Sequence, residues 1–224
     1  MSKNEEGGIQ ALVFDFDGLI IDTEEALIDA YGEVYRAHGV PFDRAEFIRS
    51  VGGPEYTFDP WHPFGRTTDR VALETERTHH NRERGRLLAP LPGVVDLIDS
   101  ARKSGLHIGL ASNSGHPHVE GHLQRLGLIG KFDFLACRED APSPKPEPDL
   151  YHLVVNHFGL RGRNAVAFED SSPGSLAAKR AGLWVVAVPN AVTAAHNFEH
   201  AHWRVASLAH VRLPELLTRF KSAS

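Results

Sequence analysis

The stretch ALVFDFDGLIIDTE, residues 11–24, decides the fold of this chain. Its first four residues are apolar and typical of a fully buried β-strand, and Asp15 and Asp17 follow directly. An unpaired buried carboxylate is costly to desolvate, so such a pair needs a cation, a proton or a functional site. Because side chains alternate along a strand, we expect both aspartates on the same side. They could bind a divalent metal and divide nucleophile and acid/base roles. The alternative is a strand that ends in a solvated acidic turn.

The composition is that of an ordinary globular protein. The 224 residues are 42% hydrophobic and 24% charged, enough for one domain with a modest insertion. The net charge of −5 argues against a nucleic-acid partner. The polar amino terminus and the lack of an apolar run of ~20 residues predict a cytoplasmic protein with no membrane partner, which we expect to be a monomer or a weak homodimer. Cys137 is the single cysteine and is interpreted as a small buried or half-buried side chain in a reducing compartment.

Histidine is abundant, with 14 residues. Three groups invite a metal-binding interpretation: His79 with His80, His116 with His118, and His196 with His200 and His202. None has cysteine partners at the spacing of a zinc site, so they are interpreted as surface histidines.

Apolar, β-branched runs alternate with helical patterns along most of the chain. The predicted strands are 11–14, 107–111, 132–136, 165–168 and 184–188. The predicted helices are 94–104, 119–126, 149–158 and 176–181, most of which end near a glycine, with LPELLTRF as a closing helix. This alternation predicts an α/β fold, a Rossmann-like parallel sheet with helices on both faces. In such sheets the ligand lies beyond the carboxyl ends of the strands.

Residues 24–88 break the alternation, because they show helical patterns and no convincing strand. Long helices are predicted at 23–37 and 69–88, on either side of GGPEYTFDPWHPFG. Proline and glycine at 89–93 mark the return of the α/β pattern. We therefore predict a core domain of residues 1–22 and 90–224, with a helical cap domain at 23–89 inserted where it can close over the active face.

The loop between the two long predicted helices is rich in aromatic residues. They are Tyr56, Phe58, Trp61 and Phe64, together with His62. They could form a specificity surface for a sugar ring or another small organic group. The alternative is that they form the small core of the inserted domain, and we favour this for at least half of them.

Two later segments contain polar side chains that could contact a phosphate. Ser112 and Asn113, in LASNSG, suit an oxyanion or a phosphate, although the same residues are common in turns. Lys145, in SPKPEPDLY, is flanked by Pro144 and Pro146, which restrict the backbone on both sides. A fixed ammonium near carboxylates and a phosphate would neutralise charge in a transition state, whereas the alternative is a lysine in a surface turn.

A second carboxylate pair, Glu169 and Asp170, ends the apolar strand of VAFEDSSPG. A second acidic pair at a strand end favours a functional site over a solvated acidic turn. Magnesium prefers a few carboxylates, water and a substrate phosphate, and Asp15, Asp17 and Asp170 could supply the carboxylates.

The ordered set DFDGLIIDTE, ASNSG, KPEPDLY and EDSSPG resembles the four motifs of the haloacid dehalogenase superfamily. It is most similar to the phosphatase and β-phosphoglucomutase branch, in which a helical cap follows the first motif. The match runs from about residue 11 to residue 189. The resemblance implies that Asp15 is the nucleophile and forms an aspartyl-phosphate. It implies that Asp17 protonates the leaving alcohol, then takes a proton from water, and binds Mg²⁺ through its main-chain carbonyl.

The resemblance also assigns the later motifs. Ser112 and Lys145 would hold the transferring phosphoryl group, with Asn113 adjacent. Asp170 would ligate the metal, and Glu169 would be a ligand or a neighbour of one, alongside the two aspartates of the first motif. The dehalogenases of the superfamily lack the second aspartate of that motif, so its presence here argues against dehalogenation.

We therefore expect a Mg²⁺-dependent phosphatase for a small phosphorylated metabolite, such as a sugar or polyol phosphate. The alternative enzyme is a phosphosugar mutase of the β-phosphoglucomutase type. Two departures argue against it, since Leu27 occupies the place of a cap histidine of the mutases and Glu55 falls near the place of a phosphate-gripping arginine. A binding or regulatory protein without turnover is a third possibility, against which the complete set of motif residues argues.

Overall fold

The computed structural model describes residues 8–51 and 58–220. These residues divide into two compact units. The first contains the described residues up to Ile21 and those from Pro90 onward, and the second runs from Asp22 to Ala89.

A parallel β-sheet organises the first unit. Its strands among the described residues are β1 (Ala11–Phe14), β2 (His107–Ala111), β3 (Phe134–Ala136), β4 (Ala165–Glu169), β5 (Trp184–Ala187) and β6 (Trp203–Arg204). Their order is β3-β2-β1-β4-β5-β6, with every neighbouring pair parallel. At the end of β1, Phe14 pairs with Leu110 of β2 and Phe168 of β4. The residues that follow these three strands therefore meet at one edge of the sheet.

Helices surround this sheet. They are α4 (Val94–Lys103), α5 (His116–Arg125), α6 (Asp149–His157), α7 (Ser172–Arg180) and α8 (Leu213–Arg219). Helix α6 packs on β1, β2 and β3, and α7 packs on β4 and β5. Every residue of β1 is buried, which explains why this strand reads as a continuous apolar run. The predicted fold class, a Rossmann-like α/β sheet, is confirmed.

The second unit is helical in its described part. It contains α1 (Thr23–Ala37), α2 (Arg44–Val51) and α3 (Arg70–Leu87). Asp22 and Asp69 cap α1 and α3, since each carboxylate accepts from a backbone N–H of the first turn. Helices α1 and α3 pack against each other.

The aromatic residues of this unit form its core, as favoured from the sequence. Trp61 is 7% exposed and clusters with Val34, Tyr35 and Leu73, with Phe64 packed against them. Phe58 contacts the ring of Phe47, while His62 is exposed. Tyr56 and Glu55 lie outside the described residues.

Several elements differ from the sequence prediction at their ends. Helices α5 and α7 start earlier than expected. Their first turns contain Pro117 and Pro173 and lack apolar periodicity, so the sequence pattern did not reveal them, although the first turn of a helix tolerates proline. The third strand begins at Phe134 rather than at residue 132, and the fifth ends at Ala187 rather than at residue 188. The short elements α2 and β6 were not predicted individually.

Two further predictions concern Cys137 and membrane insertion. Cys137 is buried, as interpreted, and burial is the main cause that raises the pKa of its thiol to about 12. Within the part of the chain that the structure describes, no helix is both long enough and apolar enough to cross a bilayer.

Candidate active site

Lys145 joins two carboxylates at the carboxyl ends of β1 and β4. Its Nζ donates to Asp15 Oδ1 at 2.5 Å, to Glu169 Oε1 at 2.6 Å and to the Ala111 carbonyl at 2.8 Å. These acceptors match the three donors of an ammonium group. Asp15 and Lys145 are only 7% and 8% exposed. The ion pair is therefore held in a defined geometry away from bulk water.

Burial sets the protonation of this cluster. It raises the pKa of the Asp15 carboxyl to about 8, because the desolvation of the carboxylate outweighs the attraction of Lys145. Burial alone would lower the pKa of Lys145, but the carboxylates of Asp15 and Glu169 outweigh it and raise that pKa. Lys145 therefore stays charged, and a further cation beside Asp15 would favour the ionised carboxylate that a nucleophile requires.

Glu169 is fully buried at the end of β4 and is held by hydroxyl donors as well as by Lys145. The Tyr151 hydroxyl donates to Oε1 at 2.6 Å, and the Ser171 hydroxyl donates to Oε2 at 3.2 Å. A Cβ at Gly174 would lie 2.1 Å from both carboxylate oxygens. The first turn of α7 can therefore approach Glu169 this closely only with a glycine at that position.

Three buried carboxylates meet at this edge of the sheet and could hold a metal ion. Oxygen atoms of Asp15, Glu169 and Asp170 lie within 4.8 Å of one another. The ammonium of Lys145 cannot neutralise all three, so negative charge remains in excess when they are ionised. Carboxylate oxygens in this number suit Mg²⁺, which completes its shell with water and a substrate phosphate. The residues present therefore fit the predicted cation.

Asn190, which follows β5, orients Asp170. Its Nδ2 donates to Asp170 Oδ2 at 2.9 Å and to the Gly18 carbonyl at 3.3 Å. Its Oδ1 accepts from the backbone N–H groups of Val192 and Thr193. A Cβ at Gly18 would fall 2.4 Å from Asp170 Oδ2. The turn after β1 can therefore approach Asp170 this closely only with a glycine at position 18. The φ of Gly18 is +77°, a conformation that also favours glycine.

Asp17 has partners different from those of Asp15. The Ser114 hydroxyl donates to Asp17 Oδ2 at 2.6 Å, and His118 Nε2 lies 2.9 Å from Oδ1. The hydrogen bond to Asp17 raises the pKa of His118, although burial opposes it. The Asp17 side chain is 27% exposed and lies outside the group of three buried carboxylates. The Asp17 carboxylate therefore has hydrogen-bond partners separate from those of the three buried carboxylates.

The expected strand alternation does not extend to Asp17. Strand β1 ends at Phe14, and the chain then turns, with the Ile20 N–H donating to the Phe16 carbonyl at 2.9 Å. The period of two applies only within a strand, so Asp15 and Asp17 reach different neighbours.

Ser112 and Asn113 follow β2 but differ in their contacts. Ser112 is 1% exposed, and its Oγ accepts from the Ser114 N–H at 3.0 Å. A hydroxyl that accepts one hydrogen bond can still donate one, as a phosphoryl oxygen requires. Asn113 is exposed and holds the backbone of Lys145, accepting from its N–H at 2.8 Å and donating to its carbonyl at 3.4 Å. In this structure Asn113 therefore positions the lysine loop.

The sequence prediction did not assign Tyr151, Ser114 or Asn190 to the site, and it interpreted His118 as a surface histidine. Tyr151 stands within the quoted motif KPEPDLY, but a tyrosine at helical spacing carries no sign of a buried carboxylate partner. Ser114 lies two residues after Ser112, where its hydroxyl could have been considered. His118 joins the site because α5 begins at His116, earlier than predicted. Asn190 was detectable only as a polar residue shortly after a strand.

The sequence of the chain matches a known family over most of its length. The family described as haloacid dehalogenase-like hydrolase matches residues 12–188. Hexitol phosphatase B of Escherichia coli O157:H7 is 32% identical over 220 residues, covering 93% of this chain and 97% of that protein. YhcW of Bacillus subtilis (strain 168) is 36% identical over 221 residues, covering 96% of this chain and 99% of that protein.

A solved structure agrees with these relatives. A mutant of CbbY from Rhodobacter sphaeroides in complex with xylulose-(1,5)bisphosphate is 29% identical, with a TM-score of 0.69, and covers 90% of this chain and 96% of that chain. The fold, the order of the four motifs and these matches agree with one another. The chain therefore belongs to the haloacid dehalogenase-like hydrolases and is a phosphoric monoester hydrolase of that family.

Proposed function

We propose that this phosphatase hydrolyses a small sugar or polyol phosphate, with Mg²⁺, through an aspartyl-phosphate on Asp15. The observation that carries the proposal is the buried contact between Asp15 and Lys145 beside the carboxylates of Glu169 and Asp170. This contact supports the proposal because a carboxylate suited to nucleophilic attack, a buried ammonium and carboxylate oxygens suited to a metal lie close together at one edge of the sheet. Asp17 lies two residues from the nucleophile, with its carboxylate held by separate partners.

In the first half of the reaction, an Asp15 carboxylate oxygen attacks phosphorus, and the bond from phosphorus to the alcohol oxygen breaks. Asp17 donates its proton to the departing oxygen, so the product leaves as a neutral alcohol. Lys145 stays protonated and keeps Asp15 oriented for attack. Ser112 would donate its hydroxyl hydrogen to a phosphoryl oxygen, with Lys145 offsetting the negative charge that develops there.

In the second half, a water molecule attacks the phosphorus of the aspartyl-phosphate. Asp17, now ionised, takes a proton from that water as the new bond forms. The bond between phosphorus and the Asp15 oxygen breaks, which releases inorganic phosphate and restores both carboxyl groups. Glu169 keeps Lys145 in place throughout, because it accepts from the same ammonium.

The metal site in this proposal consists of Asp15, Asp170 and the main-chain carbonyl of Asp17, with Glu169 beside them. When bound, Mg²⁺ would draw charge from the phosphoryl oxygens and favour the ionised Asp15 carboxylate. Asn190 and Gly18 would hold Asp170 in place for this purpose.

The substrate class comes from relatives and from the insertion. The name of hexitol phosphatase B indicates a polyol phosphate, and the CbbY mutant structure contains a sugar bisphosphate. We propose that the helical unit acts as the cap domain that selects the alcohol part of the substrate, as residues 23–89 inserted between the two parts of the core domain. We place the enzyme in the cytoplasm, where the thiol of Cys137 suits a reducing environment.

The test is phosphate release from a panel of hexitol, pentose and hexose phosphates, measured with Mg²⁺ and after chelation. We expect turnover only with the metal, and none in Asp15→Asn. Acid-quenched protein incubated with ³²P-labelled substrate should carry label on the wild-type chain and not on that variant.

Other outcomes would identify the alternatives. Isomerisation of a glucose phosphate without net release of phosphate would overturn the proposal in favour of the mutase. Binding of a sugar phosphate without turnover of any panel member would favour a regulatory protein. Full activity in Asp15→Asn would contradict the assigned nucleophile.

A further inference from the structure

We propose that His118 is a positioning residue of this enzyme, which together with Ser114 holds the carboxylate of the acid/base Asp17. The inference rests on the proposed function, in which Asp17 exchanges protons with the leaving group and with water. His118 Nε2–H donates to Asp17 Oδ1 at 2.9 Å, and the Ser114 hydroxyl donates to Oδ2 at 2.6 Å. Each oxygen of the carboxylate thus has its own donor.

The His118 side chain is 41% exposed, and its ring also contacts two neighbouring rings. Its edge meets the ring of Phe16, with centroids 5.6 Å apart and planes at 89°. The ring of His122, one turn further along α5, lies 4.9 Å away at 68°. Phe16 is fully buried and lies between the two aspartates in the sequence. His118 is therefore oriented by the same turn that carries Asp17.

The loop after β2 connects this contact to the phosphoryl site. The Ser114 N–H donates to Ser112 Oγ at 3.0 Å, while the Ser114 hydroxyl donates to Asp17. Ser112 is the proposed phosphoryl ligand. The short segment 112–114 therefore positions both the phosphoryl group and the carboxylate of Asp17. Helix α5 begins at His116, and the Val119 N–H donates to the Gly115 carbonyl in its first turn, which fixes the start of the helix beside His118.

Two hydrogen bonds, one to each oxygen, restrict a carboxylate to one rotamer and one orientation of its plane. Proton transfer over a short distance requires such a fixed orientation. Loss of the His118 donor would remove the 2.9 Å contact to Asp17 Oδ1 and keep the Ser114 contact to Oδ2. Substrate binding would change little, because His118 does not belong to the proposed phosphoryl or metal contacts. The chemical step would slow.

The experiment compares His118→Phe, which keeps an aromatic ring against Phe16, with His118→Gln, which restores a side-chain N–H donor. With a hexitol phosphate, or the best substrate of the panel, we expect kcat of His118→Phe to fall about tenfold with KM within twofold. His118→Gln should recover most of the loss. His122→Phe is the matched control, since it preserves a ring on the same helix, and its kcat should match wild type.

A double-mutant cycle separates positioning from a general structural effect. On the Asp17→Asn background, His118→Phe should cause no further loss of kcat, because the group that it positions is already inactive. The imidazole ¹⁵N shifts of His118 should change between wild type and Asp17→Asn, which reports the contact without turnover.

Several results would overturn the inference. They are wild-type kcat in His118→Phe, the same fold loss on the Asp17→Asn background, and unchanged ¹⁵N shifts. In each case an active wild-type enzyme leaves the proposed function standing. An inactive wild-type enzyme overturns the proposed function and this inference with it.

Discussion

Tyr151 shows at the scale of a single residue how the site is supported from within the core. It is fully buried on α6, and its hydroxyl donates to the same Glu169 oxygen that accepts from Lys145. The lysine Nζ also lies 5.1 Å from the centre of the tyrosine ring. Several donors therefore hold the Glu169 carboxylate in place, and Glu169 in turn holds the Lys145 ammonium.

Removal of the Tyr151 hydroxyl should weaken this support. We expect Tyr151→Phe to lower the free energy of unfolding by about 1–2 kcal/mol, since a hydrogen bond to a buried charged group is lost. Urea unfolding monitored by circular dichroism would measure it, and kcat should fall because Glu169 holds Lys145 less firmly.

The matched control is Tyr35→Phe in the helical unit, where the hydroxyl donates to the neutral Pro60 carbonyl. We expect a smaller stability loss of about 0.5–1 kcal/mol there and an unchanged kcat. Wild-type stability and activity in Tyr151→Phe would contradict the supporting role of the hydroxyl.

At the scale of the elements, the start of α7 is shaped by the carboxylate that it covers. Its N-cap is Ser171, whose Oγ accepts from the Gly174 N–H at 3.3 Å, and Gly174 faces Glu169. A helix interior ordinarily disfavours glycine, so the residue here reflects close approach rather than propensity.

Two glycine-to-alanine substitutions test this close approach. Gly174→Ala should destabilise the protein by about 2 kcal/mol or more, because its Cβ would overlap the Glu169 carboxylate. Gly121→Ala lies inside α5 with open space around it and should stabilise by about 0.5–1 kcal/mol. Thermal unfolding of both variants gives the comparison. A gain of stability in Gly174→Ala would show that the helix can move away from Glu169.

The first turn of α5 is joined to the segment after β3 by His116. Its Nδ1 lies 2.8 Å from Glu120 Oε1, and its Nε2 lies 2.8 Å from Asp140 Oδ2. Burial alone would lower the pKa of His116, but the hydrogen bonds to the two carboxylates outweigh it and raise that pKa.

A raised pKa means that the folded protein binds the proton more tightly than the unfolded chain. The stabilisation is therefore complete below the unfolded value of about 6.5 and is lost as the pH rises through the folded pKa. We expect His116→Gln to lower Tm by about 1–3 °C at about pH 5.5 and by less at about pH 9. Thermal scans at both pH values would show it, and an equal difference at the two values would count against the ion pairs.

At the scale of the whole molecule, the insertion leaves and rejoins the core at adjacent points. The Leu91 N–H donates to the Ile20 carbonyl at 2.8 Å, so the connections on both sides of the helical unit are joined by a backbone hydrogen bond. The sheet and the carboxylate cluster lie within the first unit. We therefore expect the first unit to keep metal binding and hydrolysis without the helical unit, and the helical unit to determine the substrate preference.

Replacement of residues 22–89 by a short Gly/Ser linker tests this separation. We expect the remaining chain to keep its helix and strand content by circular dichroism and to bind Mg²⁺ with a rise in Tm. It should retain slow hydrolysis of p-nitrophenyl phosphate and lose its preference among sugar and polyol phosphates, measured as ratios of kcat/KM. Asp170→Asn in the shortened chain is the control and should remove the metal-dependent rise. An unfolded shortened chain would show that the core depends on the insertion.

The sequence by itself determined the fold class and most of the strands, because buried parallel strands are continuous apolar runs and their polar ends stand out. Asp15, Ser112, Glu169 and Asp170 were identifiable for that reason, since residues at the ends of neighbouring parallel strands must meet at one edge. Lys145 was identifiable from the prolines on both sides of it.

Only the tertiary structure decided which of these groups touch. Asp17 pairs with Ser114 and His118 because β1 ends at Phe14 and the chain turns, whereas the strand pattern alone predicted a common direction with Asp15. Asn190 donates to Asp170, which lies 20 positions earlier in the sequence. Local patterns record burial and periodicity, but hydrogen bonds between distant segments depend on how the strands are ordered and where each helix begins.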